Sequence, residues 1–203
     1  MFGDSGCGKT TLCKIISGYI SSYEGNVTID DKTIEDKGVF PVQLIFQHPE
    51  KTMNPRWYMN DILKESWNPS KELKDNFGLK ENWMRRWPNE LSGGELQRFS
   101  IIRALNPKTK FIIADEISTM LDSVTQVQIW HYLIKECRKR RIGLLVVSHD
   151  IELLDCVCDD VLFFNDLNIF IIVLTPKFAN DYFVGSFYFL LEHLQILRNN
   201  SPH

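Results

Sequence analysis

Residues 3–10 read GDSGCGKT. The spacing is G-x-x-x-x-G-K-[ST], and each fixed position has a physical use. Glycines let the backbone turn tightly and aim its N–H groups at phosphate oxygens. The stretch KTTLCKIISGYI, residues 9–20, carries apolar side chains at helical spacing, so the loop is expected to open a helix. A helix N-terminus adds a field that favours anions. Lys9 is the expected counter-charge for β and γ phosphates, and the Thr10 hydroxyl the expected Mg²⁺ ligand. Gly3, Asp4, Ser5, Gly6, Cys7, Gly8, Lys9, Thr10 and Thr11 form the candidate phosphate-binding set. Such a loop usually follows a buried strand, and only Met1 and Phe2 precede this one.

Outward from the loop, the pattern is strand and helix in alternation. VFPVQLIFQ (39–47), KFIIADE (110–116) and GLLVVSHD (143–150) are continuous apolar runs that end in polar side chains. NVTIDD (26–31) reads as a short strand and turn. LSGGELQRFSIIRAL (91–105) and VTQVQIWHYLIKEC (124–137) read as amphipathic helices. Apolar strands separated by helices imply an α/β fold, a parallel sheet covered by helices. Between Met53 and Trp87 the character changes to Trp, Lys, Glu and Asn, with short helices expected at DILKESW and KELKDNF. A helical subdomain, about residues 53–106, is therefore expected as an insertion in a single domain spanning 1–166. The run RKRR (138–141) reads as a solvated helix end, where positive charge suits the dipole.

Composition narrows the class. The 203 residues suit one core, and 44% hydrophobic with 24% charged residues is ordinary for a globular protein. A net charge of -3 lacks the basic excess that marks a nucleic-acid binder. An odd count of five cysteines and no signal peptide predict a reduced, intracellular setting.

Four further stations carry chemistry. Asp115 and Glu116 end the FIIADE run, where α/β sheets place ligand sites. Asp115 is a candidate Mg²⁺ ligand, and Glu116 a candidate base for an attacking water. His149 ends the LLVVSH run and reads as a polar sensor near the γ-phosphate. Gln47 also follows a strand and is a candidate for Mg²⁺ or the attacking water. Ser92, Gly93 and Gly94 open a second anion-ready helix. One chain that already holds a nucleotide at Gly3–Thr10 does not need it. Two molecules placed head to tail would, each lending its glycine pair to the other's γ-phosphate.

With these stations in order, the chain resembles the ATPase subunits of ABC transporters, P-loop NTPases. GDSGCGKT resembles the Walker A motif, Gln47 the Q-loop and LSGGELQR the signature. FIIADE resembles Walker B, STMLD (ending at Asp122) the D-loop, and His149 the switch histidine. FQHPEKTMNPR and RRWPNELSGG are similar to stretches of the dipeptide, oligopeptide and nickel importer ATPases. The resemblance implies ATP and Mg²⁺ as cofactors, with ATP hydrolysis coupled to import of peptide or nickel. It also implies a homologous ATPase subunit as partner, in a homo- or heterodimer. Transmembrane permease subunits would dock through the helical subdomain and Gln47, and no nucleic acid is expected. The place implied is peripheral, on the cytoplasmic face of a bacterial membrane.

The chain departs from the pattern in places. Ile117 stands where the family usually has Pro, and Met120 where it has Ala. The strands that the family carries ahead of its phosphate loop, with their adenine-stacking aromatic, are expected to be missing. The family pattern stops near Asp166, and 167–203 reads as an atypical apolar tail. A diverged dimerisation tail, out-of-frame translation and a membrane-surface segment are competing readings of it. Alternative functions are a soluble ABC-type ATPase acting on ribosome or DNA, or a truncated, poorly active remnant of an importer ATPase.

Overall fold

The computed structural model describes residues 1–2, 8–21, 26–29, 32–33, 38–119 and 121–160, with the backbone of 189–190. The loop residues Gly3, Asp4, Ser5, Gly6 and Cys7, the D-loop Met120 and nearly all of the apolar tail lie outside them.

The centre is a parallel sheet of β3 (Val42–Ile45), β4 (Phe111–Asp115) and β5 (Gly143–Val147), in the order β3-β4-β5. These are the three apolar runs of the sequence. Side chains alternate across a strand, and here both faces are covered. Phe111 and Ile113 of β4 join Val42, Leu44, Leu145 and Val147 on one face, against α1 (Lys9–Ile16). Ile112 and Ala114 join Ile45 and Val146 on the other, against α4 (Gly93–Ala104) and α5 (Ser123–Arg140). Burial on both faces is why these strands read as unbroken apolar runs.

Met1 and Phe2 occupy the edge of β5. The Met1 nitrogen donates to Val146 O, and Ser148 N donates to Met1 O at 3.3 Å. Two residues thus lie on the sheet edge beside Ser148. Burial lowers the proton affinity of the Met1 amine. A second, antiparallel sheet joins β1 (Asn26–Ile29) to β2 (Lys32–Thr33) on one side and to Phe189–Leu190 on the other.

Between β3 and β4 the chain forms α2 (Met59–Ser66), α3 (Lys71–Asn76), 3-10 turns and α4. This is the stretch expected to be helical. Its core is continuous with the α4 side of the sheet: Met59, Ile62, Phe77 and Phe99 belong to the same buried cluster as Ile112. Trp83 is buried there, whereas Trp57 and Trp87 are exposed. α5 starts at Asp122, whose carboxylate accepts from Val124 N at 3.1 Å and Thr125 N at 3.0 Å. It ends at Arg141 in the left-handed region, φ 57°.

The expectation of a solvated RKRR end is corrected at Arg140. Its guanidinium turns inward, to Glu136 at 2.8 Å and to Leu105 O at 2.8 Å. The apolar arm of Arg buries readily when its fork finds acceptors. The last helix described is α6 (Ile151–Val157), and no helix of the described residues is long and apolar enough to cross a membrane.

Candidate functional site

The three parallel strands end on one side of the sheet, and each delivers a polar side chain there. Gln47 follows β3, Asp115 and Glu116 close β4, and His149 follows β5. α1 begins at the same side. Gly8 caps it with φ 107°, a backbone state that other residues rarely adopt. Lys9 and Thr10 are the first two helical residues.

Glu116 is the centre of this group. Its backbone is left-handed, φ 51°, although it is not glycine. Such a residue costs on the order of 1–3 kcal/mol and is held only by firm surroundings. Here Glu116 N donates to Val147 O at 3.0 Å, which extends the β4–β5 pairing by one residue. The turn points the carboxylate at two partners. Gln47 Nε2 donates to Oε2 at 3.0 Å, and His149 Nδ1 lies 3.1 Å from Oε1. A neutral His149 that donates from Nδ1 has an acceptor at Nε2. Donation from both nitrogens at once requires the doubly protonated ring.

Asp115 lies deeper. It accepts from the Thr10 hydroxyl at 2.8 Å and is 5% exposed. Burial pushes its carboxyl above the ordinary aspartate range. The Thr10 hydrogen bond offsets this in part, and the charge of Glu116 adds to it. Lys9 is 7% exposed, so a second charge is sequestered beside the first. A hydroxyl and a buried, desolvated carboxylate are hard oxygen donors, and they fit Mg²⁺.

Thr10, Gln47, Asp115, Glu116 and His149 are thus brought together, with Thr11 half-buried next to Thr10. Ser92, Gly93 and Gly94 stand apart at the start of α4. Their bonds are local: Glu95 N donates to Ser92 Oγ at 3.3 Å, and Ser92 N to Glu95 Oε2 at 2.8 Å. Nothing lies within 4 Å of the space a Gly93 side chain would take. Gly94 instead faces the D-loop, where an added Cβ would lie 3.1 Å from Leu121.

Sequence reasoning missed several neighbours. Thr119 accepts from Gln47 Nε2 at 3.3 Å. Its position three residues after Glu116 was the only signal. Two residues of α4 hold the chain on either side of Gln47: Gln97 Nε2 donates to Phe46 O at 3.4 Å, and Arg103 to Thr52 O at 3.2 Å. Beside them a cavity of about 100 Å³ opens among Tyr19, Phe46, Thr52, Ser66, Ser100 and Arg103. Ser100 Oγ and Arg103 Nε are buried at its wall and have no partner.

The profile of the ABC transporter family matches residues 1–119. The chain belongs to that family. A nickel import system ATP-binding protein, NikE of Staphylococcus aureus (strain bovine RF122 / ET3-1), is 30% identical over 179 residues. The match covers 82% of this chain and 73% of the relative. Among solved structures, a dimeric post-hydrolysis ATP-binding cassette bound to ADP and Pi is similar at 27% identity and a TM-score of 0.61. That match covers 75% of this chain and 74% of the other. A dimeric bacterial ABC transporter cassette gives 28% and 0.62, with the same coverage. This ABC chain is therefore an ATP-binding, ATP-hydrolysing transporter subunit, related to nickel and peptide import systems. Its strand order, with Met1 and Phe2 beside β5, sets Gln47, Asp115, Glu116 and His149 at the strand ends of a P-loop NTPase sheet.

Proposed function

We propose that this ABC subunit binds ATP–Mg²⁺ at the strand ends around Thr10 and Asp115 and hydrolyses it with Glu116 as general base. The single observation that carries the reading is the fork at Glu116, with Gln47 on one carboxylate oxygen and His149 on the other. The two contacts hold both oxygens in a fixed direction, and either oxygen is able to take the proton of an attacking water. The backbone of Gly3–Gly8, the start of α1 and Lys9 bind the β and γ phosphates. Thr10 and Asp115, with Gln47, hold Mg²⁺, which when bound neutralises phosphate charge. Gln47 and His149 position water and sense the γ-phosphate.

A second cassette completes the site through its own Ser92–Gly94. The open space at Gly93 and the dimeric state of the two similar cassettes support this. The chain is peripheral, on the cytoplasmic face of a bacterial membrane, and takes no nucleic acid as partner. Permease subunits dock at the cavity beside Gln47, where Tyr19 and Phe46 meet edge to face and Ser100 and Arg103 keep unpaired polar atoms. Kinship with nickel importers favours nickel, metal chelate or peptide as cargo.

The test is Glu116→Gln, which keeps the shape and removes the base. Hydrolysis is expected to fall by about 10²–10⁴-fold while ATP binding persists. Hydrolysis at the parental rate would remove Glu116 from the role.

A further inference from the structure

A helix leaves its last four carbonyls without partners of its own. At the end of α4, four consecutive carbonyls are each taken by a side chain from outside the helix, three of them from other elements. Trp67 Nε1 donates to Ile102 O at 2.9 Å, and Ser66 Oγ to Arg103 O at 3.1 Å. Thr109 Oγ1 donates to Ala104 O at 2.7 Å, and Arg140 to Leu105 O at 2.8 Å. The donors come from the end of α2, the turn before β4 and the last turn of α5. They are themselves tied together. Arg140 pairs with the buried Glu136 at 2.8 Å, and its guanidinium stands 5.3 Å from the centre of the Trp67 ring. Asn106 Nδ2 returns a bond to Ser66 O at 2.8 Å.

The first residues of α4 lack side-chain caps from other elements, although Gly94 stands against Leu121. Ser92 and Glu95 cap each other, and the space around Gly93 is open. α4 is seated at Leu105, packed along its middle by Leu96 and Phe99, and open to solvent only at Gly93. Its 12 residues span about 18 Å at 1.5 Å per residue, so a tilt of about 10° carries the pair about 3 Å. Productive geometry tolerates about 0.5 Å.

We propose that Trp67 and Arg140 are positioning residues: they seat the C-terminal carbonyls of α4 and thereby set where Ser92–Gly94 stand against the nucleotide of a second cassette. This rests on the reading that Ser92–Gly94 serve the partner's nucleotide. Neither side chain bonds to Thr10, Gln47, Asp115, Glu116 or His149. A clamp this far from the chemistry acts on the rate of the assembled dimer and leaves the phosphate loop of each chain intact.

The experiment uses the full chain in its dimer. Trp67→Phe keeps the ring and removes one donor. Arg140→Lys keeps a charge for Glu136 and loses the fork that serves both acceptors. In the double variant a fluorescent ATP analogue is expected to bind dilute protein within twofold of the parent. kcat is expected to fall at least fivefold, and amide exchange at the end of α4 to rise at least tenfold, with each single variant between. Faster exchange with unchanged kcat would reduce the socket to a structural role and overturn the proposal. Equal losses of analogue binding and kcat would do the same. Gly93→Ala separates the underlying reading. The added methyl group has open space in the single chain, so a fall in its kcat supports the partner role. An unchanged kcat in Gly93→Ala would sink that reading, and the proposal with it.

Discussion

At the scale of the residue, two adjacent carboxylates have been given different surroundings. Asp115 is desolvated and takes a hydroxyl, whereas Glu116 is turned out by a left-handed backbone onto Gln47 and His149. The consequence for Asp115 is a pH dependence with a definite sign. Burial holds its folded pKa above the ordinary aspartate value of 3.8. The folded chain therefore binds this proton more tightly than the unfolded chain does. The associated stability is present below 3.8 and is lost as pH rises through the raised folded value. Mg²⁺ competes with that proton, so affinity for ATP–Mg²⁺ is expected to strengthen over the same rise. Asp115→Asn is expected to raise the nucleotide-free Tm at neutral pH and to abolish Mg²⁺-dependent binding. Thermal melts with and without Mg²⁺ across pH check both signs, and a lower nucleotide-free Tm in the variant would contradict the burial argument.

At the scale of the element, the close pairing of β4 and β5 depends on a missing side chain. Phe111 lies opposite Gly143, and a Cβ there would stand 2.3 Å from the Phe111 ring. Gly143→Ala is expected to cost about 1–3 kcal/mol, as overpacking does. Chemical denaturation measures it. α4 offers a contrast. Ser92→Ala removes an N-cap, which typically costs about 1 kcal/mol, and here it also touches the proposed γ-phosphate contact. Its effect on kcat is expected to exceed its effect on stability.

The strands and most helices were legible because their evidence is local. FIIADE announces a buried strand with acids at its end, and KTTLCKII announces a helix. The positions of Gln47, Asp115, Glu116 and His149 were legible for the same reason, since each lies at the end of such a run. What stayed hidden depends on distant partners. Thr119 beside Gln47, the bond of Arg140 to Leu105 O and the caps that Ser66 and Trp67 place on α4 join residues tens of positions apart. No periodicity encodes a side chain that caps another helix. The RKRR run misled because basic residues in a last turn are ordinarily solvated, and only Trp67, Glu136 and Leu105 together make burial of Arg140 favourable.

At the scale of the molecule, the proposed function gives this ABC subunit two surfaces to fill among the described residues. One is the open N-terminal end of α4, suited to a second cassette. The other is the cavity between Tyr19, Phe46 and Arg103, suited to a permease segment and joined to Gln47 through the bonds of Gln97 and Arg103. Tyr19 is 64% exposed, so a charge there disturbs little of the core. Tyr19→Asp is expected to cut permease-stimulated hydrolysis at least fivefold in reconstituted transporter, with the unstimulated rate of the cassette unchanged. Equal stimulation in variant and parent would move the permease contact elsewhere.

All of this depends on a nucleotide seated by the loop that opens α1. Equilibrium dialysis of labelled ATP against the full chain and against Lys9→Ala, with and without Mg²⁺, measures it directly. Mg²⁺-dependent binding by the parent chain, weakened at least tenfold in Lys9→Ala, is expected. Equal binding by the two proteins would contradict the assignment of the loop.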